Sequence, residues 1–222
     1  MLSLDSHYKP LYVYAEPRTR HAEFTYQHRG KRVFDVCFSL LVVILILSWL
    51  IPLLGILIKL DSPGPVLFVQ KRTGYRGNWF YCFKFRTMKH KPNAAFKQAT
   101  KQDNRVTRLG RFLRKTNLDE MPQFLNVLIG DMSVVGPRPH ALQHSAQFWN
   151  SMPDYRKRYR VKPGITGLAQ VRGCRGETEK LMKMQHRIKY DRFYRKKINI
   201  FIDIWICWLT VKNMISDNVN AF

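Results

Sequence analysis

Between Val36 and Ile58 the chain carries no charge at all: VCFSLLVVILILSWLIPLLGILI, 23 residues in a row. A bilayer core takes about 20 apolar residues as a helix, so the run is read as membrane-embedded. It is longer than the apolar region of a cleaved signal peptide, begins too far into the chain, and lacks a small-residue cleavage site. A buried helix of a soluble domain would be shorter and would show a polar edge.

How the run sits in the membrane is less direct. Lys31 and Arg32 precede it, and Lys59, Lys71 and Arg72 follow it. Basic residues on both sides give no orientation under the positive-inside rule. Pro52 lacks an N–H and clashes with the carbonyl four residues back. Ser48, one turn earlier, can bond a freed carbonyl. A helix broken there would return to the side it entered, leaving both flanks and their charge in the cytoplasm. A straight span with Pro52 as a mild kink is the alternative.

The whole chain has 38 lysines and arginines against 15 acids, a net charge of +23. That excess faces something anionic: nucleic acid, acidic lipid head groups or a phosphorylated substrate. Cys37, Cys82, Cys174 and Cys207 lie far apart and form neither a zinc-ligand pattern nor a disulfide framework. The histidines form no metal-spaced cluster.

Against this basic background the adjacent acids Asp119 and Glu120 stand out. Arg108, Arg111, Arg114 and Lys115 precede them, and the turn Gly136-Pro137-Arg138-Pro139 follows. Thr107 is placed to cap a helix with Leu109, Phe112 and Leu113 as its apolar stripe. With Thr116 or Asn117 as the next N-cap, Leu118, Met121, Leu125 and Leu128 face the core. Asp119 and Glu120 then sit at a helix N-terminus, where free N–H groups favour negative charge. That position explains them as caps, and it equally makes a phosphate site. Arg138, between two prolines that fix φ, is pre-set to grip a phosphate bidentately. Upstream, Val66 to Gln70 and Trp79 to Met88 read as a hairpin with Lys84 and Arg86 on one face. The glycine-punctuated stretch from Lys162 to Gly167, ending at Arg172, Gly173, Cys174, Arg175 and Gly176, reads as a ligand loop or an ordinary surface loop. Thr178 to Lys197 reads as a basic helix. Ile198 to Ile215 is apolar with Trp205 and Trp208, and suits either the membrane interface or the core.

Taken in order, these motifs resemble the monotopic phosphoglycosyl transferases, also called bacterial sugar transferases. The resemblance covers about residues 30–220. It runs through Lys31-Arg32 with Phe34-Asp35, S-P-G-P-V-L-F from Ser62 and K-F-R-T-M from Lys84. It continues with R-K-T-N-L-D-E-M-P-Q-F-L-N-V-L from Arg114, G-D-M-S-V-V-G-P-R-P from Gly130 and K-P-G-I-T-G-L-A-Q-V from Lys162. Two departures accompany it. The family's Ser-Pro pair at the membrane break reads Ser48-Trp49 here, with proline displaced to Pro52. The G-C-R-G-E-T stretch sets Arg175 one residue later than the arginine of shorter relatives, and looks like the branch that transfers glucose-1-phosphate.

The resemblance implies an enzyme that moves a sugar-1-phosphate from a UDP-sugar onto undecaprenyl phosphate and releases UMP. Glucose is favoured; galactose or an N-acetylated sugar is the alternative. The implied nucleophile is Asp119, forming a covalent aspartyl-phosphosugar. Glu120 would help bind Mg²⁺ or activate the lipid phosphate, with Asp119 and Glu120 as the metal ligands. Arg114 and Arg138 match phosphate-contacting positions, and Lys84, Arg86 and Arg175 join them as expected substrate contacts. The product would initiate exopolysaccharide or O-antigen-type assembly. The expected fold is α+β, mostly helical: a re-entrant membrane helix (31–60) and a cytoplasmic catalytic domain (61–222) with a small β-hairpin and interfacial amphipathic helices. Residues 1–30 form an arm of unassigned role. The expected location is the bacterial inner membrane, with the catalytic domain on the cytoplasmic face against anionic lipids and a homo-oligomeric state left open. The rival from another class, a membrane-tethered nucleic-acid-binding protein, leaves the Asp-Glu pair, the G-P-R-P turn and the glycine loop unexplained, so no nucleic-acid partner is expected.

Overall fold

The computed structural model describes residues 30–90, 100, 103–174 and 181–216. The uncharged run lies in one continuous helix, α1 (Lys31–Asp61). Its inward residues are Lys31, Asp35, Ser39, Val42, Leu47, Leu50, Leu54 and Ile58, all buried. They step by three or four residues except between Val42 and Leu47. That longer step falls on a π turn, Val43–Leu47, whose i→i+5 bonding absorbs one extra residue and keeps the same face inward. Side chains cover carbonyls of the widened turn: Ser48 Oγ donates to Ile44 O (2.7 Å) and Trp49 Nε1 to Leu45 O (2.9 Å). Helical structure continues through Pro52. The irregularity expected at Pro52 therefore lies a turn earlier, and Ser48 serves a carbonyl of the π turn.

Both ends of α1 are tied to the rest of the chain. At its start, Arg32 donates to Val127 O (2.6 Å) and Leu128 O (2.9 Å). Lys31 Nζ bridges Asp35 (3.1 Å) and Asp203 (2.8 Å), and Asp35 accepts from Ser133 Oγ and Val134 N, both at 3.0 Å. At its end, the Arg86 guanidinium donates to Ile58 O, Ser62 O and Pro63 O. Ile58 O also accepts from Ser62 N (3.2 Å), and Ser62 and Pro63 lie just past the last turn, where a buried cation suits the negative end of the helix.

The strands β1 (Leu67–Thr73) and β2 (Trp79–Phe85) form an antiparallel hairpin running from the Leu67–Phe85 pair to the Thr73–Trp79 pair. Helix α2 (Arg108–Lys115) starts at the expected cap, with Thr107 Oγ1 accepting from Gly110 N at 2.9 Å. Its stripe is narrower than expected: Leu113 is fully buried, while Phe112 is exposed. A single 3₁₀ turn, Leu118–Glu120, leads to α3 (Gln123–Ile129). Then come β3 (Ser133–Val135), α4 (Leu142–Trp149), a 3₁₀ segment Tyr155–Arg160 and β4 (Gly164–Thr166), which pairs parallel to β3. Three helices complete the order: α5 (Leu168–Val171), α6 (Leu181–Lys197) and α7 (Ile200–Ile215). The result is a mostly helical α+β architecture with two small sheets.

On α3 the inward face differs from the apolar stripe expected. Leu118, Met121, Leu125 and Leu128 are half-buried, whereas Phe124, Val127, Gln123 and Asn126 are buried. Asn126 is drawn in because it completes the free edge of β2. Its Oδ1 accepts from Phe83 N (3.0 Å) and its Nδ2 donates to Tyr81 O (2.7 Å). A side chain that matches one donor and one acceptor of an unpaired edge outweighs a leucine there.

Replacing Arg86 by Ala removes three hydrogen bonds to carbonyls at and just past the end of α1. The expected loss is about 3 kcal/mol of stability, at roughly 1 kcal/mol per bond, read as a lowered unfolding temperature in detergent.

Candidate active site

The last residues of β2 and the turn before α3 meet at Glu120. Lys84 Nζ lies 2.6 Å from Glu120 Oε1 and 3.8 Å from Asp119 Oδ2. Arg138 approaches from the opposite side as a fork, Nη1 on Oε2 at 2.9 Å and Nη2 on Oε1. Both acids are only 8 % exposed. The Asp119 carboxylate accepts no hydrogen bond among the described residues, so its oxygens are left for something else.

The helix expected to begin at Thr116 or Asn117 does not form there. Thr116 Oγ1 bonds back to Phe112 O (2.9 Å) and closes α2. Asn117 takes a left-handed conformation, φ 55°, which reverses the chain so that both acids turn inward. Pro122 stands at the cap of α3, after the acids instead of before them. The charge of the pair is thus set by neighbouring cations more than by a helix dipole. Burial works against the charge of Glu120, but Arg138 and Lys84 outweigh it and hold its carboxyl well below the ordinary range. These ion pairs stabilise the fold above the ordinary carboxylate range and are lost as pH falls through the depressed value. Asp119 moves the other way: burial raises its pKa, the charge of Glu120 adds to this, and Lys84, Arg138 and Arg114 oppose it.

Arg114 stands close by, its Nε donating to Thr87 Oγ1 (2.9 Å). Burial lowers its pKa while the charges of Asp119 and Glu120 support it. Of the expected contacts, the fold therefore gathers Lys84, Arg114 and Arg138 around the two acids. Arg86 departs from expectation. Although only two residues from Lys84, it follows the end of β2 and turns to the end of α1. Arg175 lies outside the described residues.

The glycine stretch also has a different use. Cβ atoms at Gly164 and Gly167 would collide with the backbone of Gly136, and one at Gly136 with Lys162 O. These glycines let two backbones pack side by side and bring the G-P-R-P turn against β4. Behind that turn lies a buried polar group with no counterpart in the sequence reading: His140, Arg158, Arg187 and Asp191. One signal pointed to it. Asp191 is the sole acid in the basic helix α6.

Among the described residues no group of three His, Cys, Asp or Glu side chains is arranged to hold a metal. A hard divalent cation such as Mg²⁺ needs less, binding through one or two carboxylates plus substrate phosphates. With Glu120 engaged by two cations and Asp119 free of hydrogen bonds, Asp119 is the carboxylate best suited to it.

The profile of the bacterial sugar transferase family matches residues 26–217. The chain belongs to that family. It is 47% identical over 182 residues to the UDP-glucose:undecaprenyl-phosphate glucose-1-phosphate transferase of Escherichia coli (strain K12), covering 82% of this chain and 39% of that protein. The Caulobacter vibrioides protein of the same name is 46% identical over 195 residues, 86% of this chain and 72% of that one. An exopolysaccharide production protein of Rhizobium leguminosarum bv. phaseoli is 45% identical over 186 residues, 82% of this chain and 92% of that one.

Proposed function

We propose that this chain transfers glucose-1-phosphate from UDP-glucose to undecaprenyl phosphate, releasing UMP and initiating assembly of an exopolysaccharide-type glycan. One observation carries the assignment of roles. Of two adjacent buried acids, Glu120 is gripped on both oxygens, while the Asp119 carboxylate accepts no hydrogen bond. Asp119 is the nucleophile in this reading. Its carboxylate attacks the phosphorus that bears the sugar, the bond from that phosphorus to the UMP oxygen breaks, and an aspartyl-phosphosugar remains. An oxygen of the lipid phosphate then attacks the same phosphorus. The bond to Asp119 breaks, the carboxylate is restored and a sugar diphospholipid leaves. Lys84, Arg114 and Arg138 neutralise the phosphoryl oxygens, as phosphoryl transfer requires. Glu120 anchors Lys84 and Arg138 in place. Mg²⁺, held by Asp119 with support from Glu120, would offset charge on the diphosphate.

The same reading places α1 in the cytoplasmic leaflet of the bacterial inner membrane, entering and leaving on one side. Its support is that residues of one folded unit hold both ends of the helix, while Leu41, Ile44, Leu45 and Ile56 stay exposed along it. A straight crossing would carry one end away from that unit. α7 adds an exposed stripe of Phe201, Ile204, Trp208, Val211 and Ile215. Lys212 lies 5.1 Å over Trp208, and Arg172 lies 5.3 Å over Trp205, an arrangement suited to the head-group region and its anionic lipids.

UMP should appear from UDP-glucose before any lipid acceptor is added, and Asp119→Asn should abolish it while the protein stays membrane-bound. Release of UDP in its place, or a fully active Asp119→Asn enzyme, would refute this chemistry. Lys84→Met removes the strongest influence opposing the raised pKa of Asp119. The acid limb of the pH–rate profile should then move to higher pH, and kcat should fall about 100-fold, the usual cost of one electrostatic contact. In a background with the four native cysteines replaced, Gly30→Cys and Asp61→Cys should both react with an impermeant maleimide from the cytoplasmic side only. Labelling from opposite sides would mean that α1 crosses the bilayer.

A further inference from the structure

The turn that carries Arg138 is held by its own backbone. Four consecutive carbonyls each accept one hydrogen bond from a different donor. Pro137 O accepts from Gly164 N (3.0 Å) and His140 O from Thr73 N (2.9 Å). Arg138 O accepts from Arg158 Nη2 (2.9 Å) and Pro139 O from Arg72 Nη1 (2.9 Å). Pro137 and Pro139 have no N–H, so their carbonyls are the only backbone groups by which they can be held. Two of the donors are amides fixed by β4 and β1. The other two are arginine side chains.

Arg158 is fully enclosed, and its Nε and Nη2 lie 3.0 and 2.9 Å from Asp191 Oδ2. Its Nη1 rests against both ring nitrogens of His140, at 2.8 and 2.9 Å. Burial, together with the charges of Arg158 and Arg187, holds the His140 pKa well below its ordinary value, so the ring is neutral and can accept. Arg187 reaches His140 Nε2 (3.2 Å) and Cys174 O (2.8 Å) from α6. A buried ion pair is a poor source of stability, because apolar residues of similar volume often serve as well. What a guanidinium adds is direction, since its planar fork meets a carboxylate and a carbonyl at fixed angles.

We propose that Arg158, fixed by Asp191, and Arg72 are positioning residues for Arg138. They set the backbone from which its guanidinium reaches Glu120 and the donor diphosphate. The inference rests on the function proposed above and adds to it how the phosphate-gripping arginine is aimed. A displacement of about 1 Å at such a group costs on the order of 100-fold in rate.

The test uses the full chain in detergent, with UDP-glucose as donor and saturating undecaprenyl phosphate. Arg158→Lys keeps a charge beside Asp191 but cannot reach Asp191, His140 and the Arg138 carbonyl together. With the unfolding temperature checked, kcat is expected to fall roughly 10- to 100-fold, with KM changed by less than about threefold. In an Arg138→Lys background, Arg158→Lys should cost no more than about twofold further, because it acts through Arg138. Arg72→Gln, at a half-exposed position, should lower kcat with KM likewise little changed, again with no more than about twofold further loss in the Arg138→Lys background, and serves as the test if Arg158→Lys does not fold. An unchanged kcat, a loss confined to KM, or losses that multiply in the double variant overturns the positioning role. A fully active Arg138→Lys enzyme instead overturns the phosphate role of Arg138 proposed above, and the fall in kcat of Arg158→Lys still decides the clamp.

Discussion

Glu120 is buried as an anion, and the arrangement of the site follows from making that tolerable. Taking an isolated carboxylate out of water costs several kcal/mol, recovered only when its oxygens are well paired. Here one oxygen meets Lys84 from β2 and both meet the fork of Arg138. The hairpin, the turn before α3 and the G-P-R-P turn must therefore converge on one point. Asp119, next in the chain, is carried into the same enclosure without hydrogen bonds of its own. Its raised pKa is the direct consequence. A carboxylate that is poorly satisfied yet surrounded by cations is suited to react with a phosphorus centre.

The same elements tie the site to the long apolar helix α1. Lys84 and Arg86 lie two residues apart, one reaching Glu120 and the other the carbonyls that end α1. At the other end, Arg32 holds the last carbonyls of α3, and the acids lie in the turn that leads into α3. Both ends of α1 are thus attached to elements that adjoin the two buried acids.

Much of this was legible in advance, for local reasons. The uncharged run, the Thr107 cap and the hairpin depend on periodicity and on hydrogen bonds a few residues apart. The Asp119-Glu120 pair and Arg138 were conspicuous because acids are scarce and two prolines flank the arginine. Arg86 was misassigned because strand alternation ends with Phe85, so spacing no longer governed where its side chain points. The inward face of α3 was misjudged because the edge of β2, which Asn126 satisfies, belongs to a distant segment. Asp191 could have been noticed as a solitary acid, but nothing near it in the chain names Arg158 as its partner.

By itself, the sequence determined the long apolar run, the elements on either side of it, the chemical types gathered at the site and the family. Those follow from composition and short-range pattern, which survive without knowledge of the fold. Only the tertiary structure decided which of the two acids is held by hydrogen bonds and which, among the described residues, accepts none. It also decided that Arg86 closes a helix, and that the glycines serve backbone packing. Each of these depends on groups from separate elements meeting at hydrogen-bond distance, where burial makes every unpaired charge costly. The opening feature shows the same division. Val36–Ile58 is apolar enough for a bilayer on composition alone, while its π turn and its two tethered ends come from packing against the rest of the chain.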